Sequence, residues 1–268
     1  MKQAVKGLLR PLGLLGVARG LRDRLRATRA WRRNARFMAE AGGLDGLPVP
    51  PAHLILLVTG TADLEWYVEG GRRAAVSLKS LLEKNGVDPA RLRAILDFGC
   101  GCGRVTRHWR GLPAEVFGSD YNRHLVDWCK RNLAFARFGS NDLKPPLPHP
   151  DGRFDFVYAL SVFTHLPEAL QRAWMEELAR VIQAGGHLAV SLHGTRYLDD
   201  MTADERRAFE AGRLAVRADS PGSNACAAFH PHDYVKQTLV ADLFDVVAFV
   251  PEGALGNPHQ DLYLLRRR

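Results

Sequence analysis

Three glycines at alternate positions, Gly99, Gly101 and Gly103, follow a short apolar run, and Asp97 stands two residues before the first of them. Glycines let a backbone turn sharply and approach a ligand closely, and a helix starting directly afterwards offers free N–H groups to negative charge. The D-x-G-x-G-x-G spacing is not that of a dinucleotide loop, which would need glycine where Arg104 or Thr106 stands. Nor does a Gly-Lys-Ser/Thr triplet close it as in a phosphate loop. A second acid, Asp120, ends the next apolar run, Val116-Phe117-Gly118-Ser119-Asp120, 17 residues beyond Gly103. That is near the distance at which a carboxylate accepts hydrogen bonds from ribose hydroxyls in nucleotide-binding α/β folds. The competing reading is a strand-end aspartate that caps the helix expected over 122–133.

These residues need elements to hold them. Ala94–Phe98, Glu115–Ser119, Ala136–Gly139, Phe154–Leu160, His187–Leu192, Phe244–Val250 and Leu262–Leu265 read as strands. Helices are expected to begin at Arg104–Arg110 and to span Arg123–Leu133, Glu168–Gln183 and Thr202–Gly212, with Gly185-Gly186 stopping the third. Strands that alternate with helices predict an α/β fold with a parallel sheet. Upstream, Leu54–Asn85 reads as a mostly helical cap with an apolar stripe of Ala75, Leu78, Leu81 and Leu82. Leu14–Trp31 carries a gapped helical pattern, and the Pro/Gly-rich stretch Gly42–Pro51 marks a boundary. The expected organisation is a basic amphipathic arm over 1–41, a helical cap over 42–90 and an α/β domain over 91–268.

With these motifs in place, the chain over 91–268 resembles the class I S-adenosylmethionine-dependent methyltransferases. Ile95–Arg104 matches their first motif, Phe117–Asp120 their ribose-binding strand end, Phe154–Ser161 their fourth strand, and Glu176–Val190 their long helix and fifth strand. Ala184 departs from the proline that many relatives carry before the two glycines, which touches a turn and not the chemistry. The resemblance implies a Rossmann-like seven-stranded sheet with helices on both faces and S-adenosyl-L-methionine over its C-terminal edge. It further implies that Gly99, Gly101 and Gly103 face the methionine part with support from Asp97, and that Asp120 binds the ribose. Asn141 or Asp142 would meet the adenine amine, Leu143 its ring, and Ser161 would lie near the transferred methyl.

The expected reaction is methyl transfer to a small-molecule, glycan- or lipid-linked acceptor at oxygen or nitrogen. The sulfonium activates its own methyl group, so the protein has to align a nucleophile, exclude water and, for a hydroxyl acceptor, supply a base. His165, after the fourth strand, is the first candidate and His193, after the fifth, the second. A helix-entry histidine bonding backbone is the bland alternative for His165. His230, His232 and Tyr234 in "FHPHDY" either close over the site or belong to a surface loop. The cap, including Trp66 and Tyr67, and the 193–235 insertion are expected to shape the acceptor pocket. No metal site is expected, since Cys100-x-Cys102 and the 230/232 histidines lack further ligands. "ALSVF" after the fourth strand is not the N-P-P-[FYW] signature of amino-methylating DNA and glutamine enzymes, and no Pro-Cys nucleophile is present.

Charge is concentrated at one end. Residues 1–36 hold eleven Lys/Arg and one acid, Asp23, leaving 26 basic and 28 acidic side chains elsewhere, a balance of +10 against −2. Such a segment suits an anionic membrane surface, suits nucleic-acid phosphates, or forms a solvated helix on the cap. No transmembrane run or secretory signal is evident, and four cysteines do not make a disulfide framework in 268 residues. A cytoplasmic setting with peripheral contact at the inner membrane surface is expected, nucleic acid being the weaker partner. The alternatives are a non-catalytic cofactor-binding module and an RNA methyltransferase using the arm; a nicotinamide oxidoreductase fails on glycine spacing.

Overall fold

The computed structural model describes residues 33–39, 45–218, 222, 226–257 and 259–268. The expected Leu14–Trp31 helix lies outside them. The chain divides into two compact units, Met1–Val68 and Glu69–Arg268.

In the first unit, residues 33–39 are helical and Asn34 ties them to the next turn, its Nδ2 donating to Ala62 O (2.8 Å) and its Oδ1 accepting from Leu64 N (3.1 Å). Helix α1 (Ala52–Thr59) buries Leu54, Ile55 and Leu56 and ends at Gly60, whose φ of 70° accommodates the left-handed turn. The division between the units, after Val68, falls within helix α2 (Leu64–Lys84). The stretch Leu54–Asn85, expected to be mostly helical, thus holds two helices parted at Gly60. Among the described residues no helix is long and apolar enough to cross a membrane.

The second unit is built on a mostly parallel sheet. Its strands are β1 (Ala94–Phe98), β2 (Glu115–Asp120), β3 (Arg137–Ser140), β4 (Phe154–Ala159), β5 (Ile182–His193), β6 (Ala215–Ala218), β7 (Cys226–Phe229), β8 (Phe244–Val250) and β9 (Gln260–Arg267). The order β3-β2-β1-β4-β5 is parallel, and β9 inserts antiparallel between β5 and β8. The seven expected strands form this core of the Rossmann-like fold. The short hairpin β6–β7 adds two that the sequence did not announce, making nine in the described sheet. β7 meets β5 at His193↔Phe229, past the last β4–β5 pair, Ala159↔Val190. The hairpin therefore prolongs the sheet beyond the end of β4.

Both faces of a parallel sheet need cover, and alternation along the strands supplies it. Ile95, Phe156, Tyr158, Ala189, Leu262 and Leu264 pack with Ala74, Ala75, Leu78, Leu81 and Leu82 of α2 and with Trp109. Their neighbours Leu96, Phe98, Val157, Leu188, Val190 and Leu265 pack with Trp174, Met175, Leu178 and Val181 of helix α4 (Glu168–Val181). Helix α3 (Arg123–Asn132) starts from Asn122, whose side chain accepts from His124 N. Helix α5 (Ala203–Glu210) starts at a capping box of Thr202 and Glu205.

Two local expectations are corrected. After the glycine loop there is no α-helix over 104–110, only turns and a 3-10 segment, Thr106–Trp109, because the Thr106 hydroxyl is drawn inward to Asp97. Helix α4 ends at Val181, where Ile182 is extended, so Gly185-Gly186 do not stop a helix. Gly185 has φ 73° within β5, where the β4–β5 register shifts between Phe154 and Phe156.

Candidate functional site

The glycine loop and both acids sit at the C-terminal ends of β1 and β2, the edge of an open parallel sheet where ligands bind. Gly99 N and Cys100 N donate to Ser119 O (2.7 and 3.0 Å), which pins the loop to β2. Gly99, Gly101 and Gly103 all have positive φ, at 81°, 55° and 75°. A Cβ on Gly99 would meet Val162 Cγ2 at 2.3 Å and one on Gly103 would meet Leu133 Cδ1 at 2.4 Å. The chain's own packing therefore requires those two glycines. Gly101 instead turns its N–H onto Asp120 Oδ2 (2.9 Å).

Asp120 is buried, and its Oδ1 accepts from Asn122 N (2.8 Å). The capping reading of this residue is corrected: the carboxylate braces the turn into α3, and Asn122 is the helix cap. Each carboxylate oxygen takes one backbone N–H and keeps lone-pair capacity. Burial raises the Asp120 pKa, and the N–H bonds of Asn122 and Gly101 oppose it. Asp97 lies beneath the loop, where its Oδ2 accepts from Thr106 Oγ1 (2.6 Å). Burial pushes its pKa up to about 6 against the opposing Thr106 and Tyr158 hydroxyls. The Tyr158 hydroxyl is buried beside it without a well-formed hydrogen bond of its own.

After β3, Asn141 is committed within its own loop. Its Oδ1 accepts from Ser119 Oγ (2.6 Å) and its Nδ2 donates to Asp142 O (2.7 Å). Asp142 is exposed and, with Arg123, Ser140 and the Pro146–Pro148 turn, lines a cleft of about 310 Å³. Leu143 is half-buried against the core, and its carbonyl accepts from Trp174 Nε1 (3.0 Å). Tyr121 and Gly222 join this end of the site, and sequence reading missed both. Tyr121 Oη donates to Gly222 O (2.6 Å), and Gly222 N donates to His165 O (2.8 Å). Gly222 has φ +78°, and a Cβ there would meet Leu143 Cδ1 at 2.9 Å.

The ends of β4, β5 and β9 form a second polar cluster. Ser161 holds a left-handed φ of 59°, an uncommon conformation for serine. Its N–H donates to Ser191 Oγ (2.8 Å), and its Oγ accepts from Gln260 Nε2 (2.9 Å) and lies 3.3 Å from Thr164 Oγ1. Ser191 Oγ in turn donates to Gln260 Oε1 (2.7 Å). His165 is bound through Nδ1 to the Cys226 carbonyl (2.8 Å). A carbonyl only accepts, so Nδ1 carries the proton, and Nε2 has no partner among the described residues. Burial lowers the His165 pKa. His193 lies under the Tyr197 ring at 4.0 Å, with His165 edge-on at 6.4 Å. Burial and then His165 push its pKa down to about 3.

The "FHPHDY" segment divides. His230 is fully buried, with Nε2 on Gln171 Oε1 (3.0 Å), and burial holds it at about 3. His232 Nδ1 meets Tyr263 Oη (3.0 Å), and Tyr234 Oη reaches Glu168 (3.4 Å). These contacts are packing contacts of the fold. Gln260 went unread because it opens a strand, although a polar pair, Gln260-Asp261, leading an apolar run was a signal that something polar meets it.

Residues 95–186 match a family profile described as a methyltransferase domain. Among curated proteins, the chain is 32% identical over 119 residues to a malonyl-[acyl-carrier protein] O-methyltransferase of Enterobacter lignolyticus (strain SCF1), covering 44% of each chain. It is 33% identical over 117 residues to methyltransferase GfsG of Streptomyces halstedii, covering 40% of each. The match spans under half the length of these relatives. A solved structure of similar fold is the Burkholderia thailandensis 1,6-didemethyltoxoflavin-N1-methyltransferase with its substrate and S-adenosylhomocysteine. Its TM-score is 0.54 at 15% identity, covering 75% of this chain and 79% of that one.

Proposed function

We propose that this chain, whose residues 95–186 match a methyltransferase-domain profile, is a class I S-adenosylmethionine-dependent methyltransferase that methylates a hydroxyl oxygen or an amine nitrogen on a small-molecule, glycan- or lipid-linked acceptor. The observation that carries the reading is the buried Asp120 carboxylate, braced on the glycine loop by Gly101 N–H with acceptor capacity left on both oxygens. That donor set fits a ribose diol, which offers two O–H groups to one carboxylate. Leu143 and Tyr121 would flank the adenine with Asp142 at its edge, while Asn141 acts by holding the loop. Gly99, Gly101 and Gly103, with Asp97 beneath them, would shape the seat of the methionine part.

S-adenosylmethionine, when bound, supplies a methyl group activated by its sulfonium centre. The protein's part is placement, exclusion of water and proton removal. His165 is suited to the last task. Its Nδ1–H is fixed on the Cys226 carbonyl, burial keeps it neutral at pH 7, and Nε2 is open to take the acceptor's O–H or N–H proton. Ser161 and Tyr197 would orient the acceptor beside it. The names of similar proteins include both an O- and an N-methyltransferase, which is why both acceptor atoms stand in the proposal.

The test is transfer of labelled methyl from S-adenosylmethionine into a cell extract separated into lipid, glycan, nucleic-acid, protein and small-metabolite fractions. Label in one fraction, abolished in Asp120→Asn and lowered in His165→Gln, is the expected result. Tight S-adenosylhomocysteine binding without label anywhere would favour a binding module, and absence of binding would sink the reading. Residues 1–36, with their balance of +10, would hold the protein at an anionic membrane surface on the cytoplasmic side.

A further inference from the structure

The Ser161–Ser191–Gln260 cluster has a fixed hydrogen-bond direction. Ser161 N–H can only donate, so Ser191 Oγ accepts it and must send its single hydrogen elsewhere. Gln260 Oε1, at 2.7 Å, receives it. Turning the amide over would leave that hydroxyl hydrogen facing an N–H₂, so the orientation is set by the network. Gln260 Nε2 then faces Ser161 Oγ at 2.9 Å and His193 Nε2 at 3.5 Å, with the Tyr197 hydroxyl also against the amide. On the other side of the ring, His193 Nδ1 is buried without a hydrogen-bond partner, and the Ala228 backbone lies against the ring. The amide hydrogen aimed at Nε2 selects the tautomer with a lone pair on Nε2 and the proton on Nδ1.

We propose that Gln260 is a positioning residue of the acceptor site: it fixes His193 as the Nδ1–H tautomer with Nε2 covered, and so leaves His165 Nε2 as the open imidazole nitrogen at the ends of β4 and β5. The proposal rests on the methyltransferase reading for its consequence, since it assigns the acceptor's proton to His165 and withdraws His193 from that role. It also gives the left-handed Ser161 a reason. The same amide that covers His193 holds the Ser161 hydroxyl, and the Ser161 N–H holds the serine that orients the amide. Strained backbone persists where surrounding bonds over-determine it.

Gln260→Glu tests this because it keeps the shape and reverses the polarity. A carboxylate oxygen cannot donate, so His193 Nε2 must acquire a proton to meet it. Long-range ¹⁵N–¹H spectra of the histidine rings in the full chain should show His193 as Nδ1–H in the wild type. In Gln260→Glu they should show it with hydrogen on Nε2. The rate of label transfer should fall by at least about tenfold with S-adenosylhomocysteine affinity within about twofold, the split expected of a group acting on the chemical step. Should Gln260→Glu fail to fold, Ser191→Ala frees the amide to turn and should give a mixture of His193 tautomers. An unchanged His193 spectrum in a folded variant overturns the proposal. The spectra need neither cofactor nor acceptor. If the tautomer follows residue 260 but the wild type neither binds S-adenosylhomocysteine nor transfers label, the methyltransferase reading fails and the positioning of His193 stands.

Discussion

Two aspartates at the glycine loop look alike in sequence and differ in their hydrogen-bond partners. Asp97 is fully enclosed with its pKa raised to about 6 from 3.8, so folding disfavours its ionised form. The folded state holds one more proton than the unfolded state between those values, and stability is lost as pH rises through that window. At pH 8 the ionised carboxylate costs on the order of 3 kcal/mol, at about 1.4 kcal/mol per pKa unit. Asp97→Asn, whose amide oxygen can still accept from Thr106, should therefore raise the melting temperature by several degrees at pH 8 and by much less at pH 4.5. Equal shifts at both values would show that the carboxylate is not held under strain. Asp120 keeps its oxygens at the edge of the site, and replacing one by N–H₂ sets a donor against Gly101 or Asn122 N–H. Asp120→Asn should weaken S-adenosylhomocysteine binding by about 10- to 100-fold, the range for a lost charged hydrogen bond. A calorimetric Kd within twofold of wild type would remove Asp120 from ribose binding.

At the scale of elements, the glycine loop is an interface between β1 and α3 as much as a ligand seat. Gly103→Ala places a methyl 2.4 Å from Leu133 Cδ1 at φ 75°, whereas Gly111, at φ 88°, has open space. Gly111→Ala should cost about 1 kcal/mol for its backbone conformation alone and Gly103→Ala roughly 2–4 kcal/mol, since overpacking adds to it. Urea melts of the two variants separate packing from conformation, and equal midpoints would contradict the contact with Leu133. The same balance of local and distant causes decides what the sequence could tell. The central strands were readable because burial on both faces demands runs such as Ala94–Phe98 and Phe154–Ala159, and the acids at their ends came with them. β6 and β7 were not, because AVRA and CAAF are four residues each and take their place from pairing with one another and from one contact with β5. The 104–110 segment looked helical because nothing in its composition reports a threonine hydroxyl turned to Asp97. Gln260, from β9, reaches Ser161 across 99 positions of sequence, and a bond of that span leaves no local pattern.

For the whole molecule, the buried imidazoles set the response to acid. His193 and His230, both held at about 3 against 6.5 when exposed, contribute stability that is intact above pH 6.5 and lost as pH falls below it. Asp97, Asp120 and Asp261, whose carboxyl groups burial raises, offset part of that loss, while His149, His165 and His187, also lowered, add to it. Unfolding free energy should fall as pH is lowered from 6.5 to 4.5. A flat urea-midpoint profile from pH 6.5 to 4.5 would show that water reaches these rings. The charge division makes a separate prediction. The full chain should float with vesicles of anionic lipid at low salt, at about 1 kcal/mol for each cation near the surface, and a chain lacking residues 1–36 should not. Flotation that is unaffected by removing those residues would place the membrane contact elsewhere, and binding to RNA alone would favour the nucleic-acid reading.

β9 lies between β5 and β8, so the sheet cannot close until Gln260–Arg267 has been made. On the ribosome, β5 is complete 67 residues before β9 begins. At about 5–20 residues per second, that leaves the nascent chain for roughly 3–13 s with one edge of β5 bare. During that interval Ser161, Ser191 and His193 lack Gln260, and an open strand edge invites pairing with another chain. Synthesis thus imposes an order in which the glycine loop can assemble before the Ser161–Ser191–Gln260 cluster does. Chaperone dependence is expected in that interval.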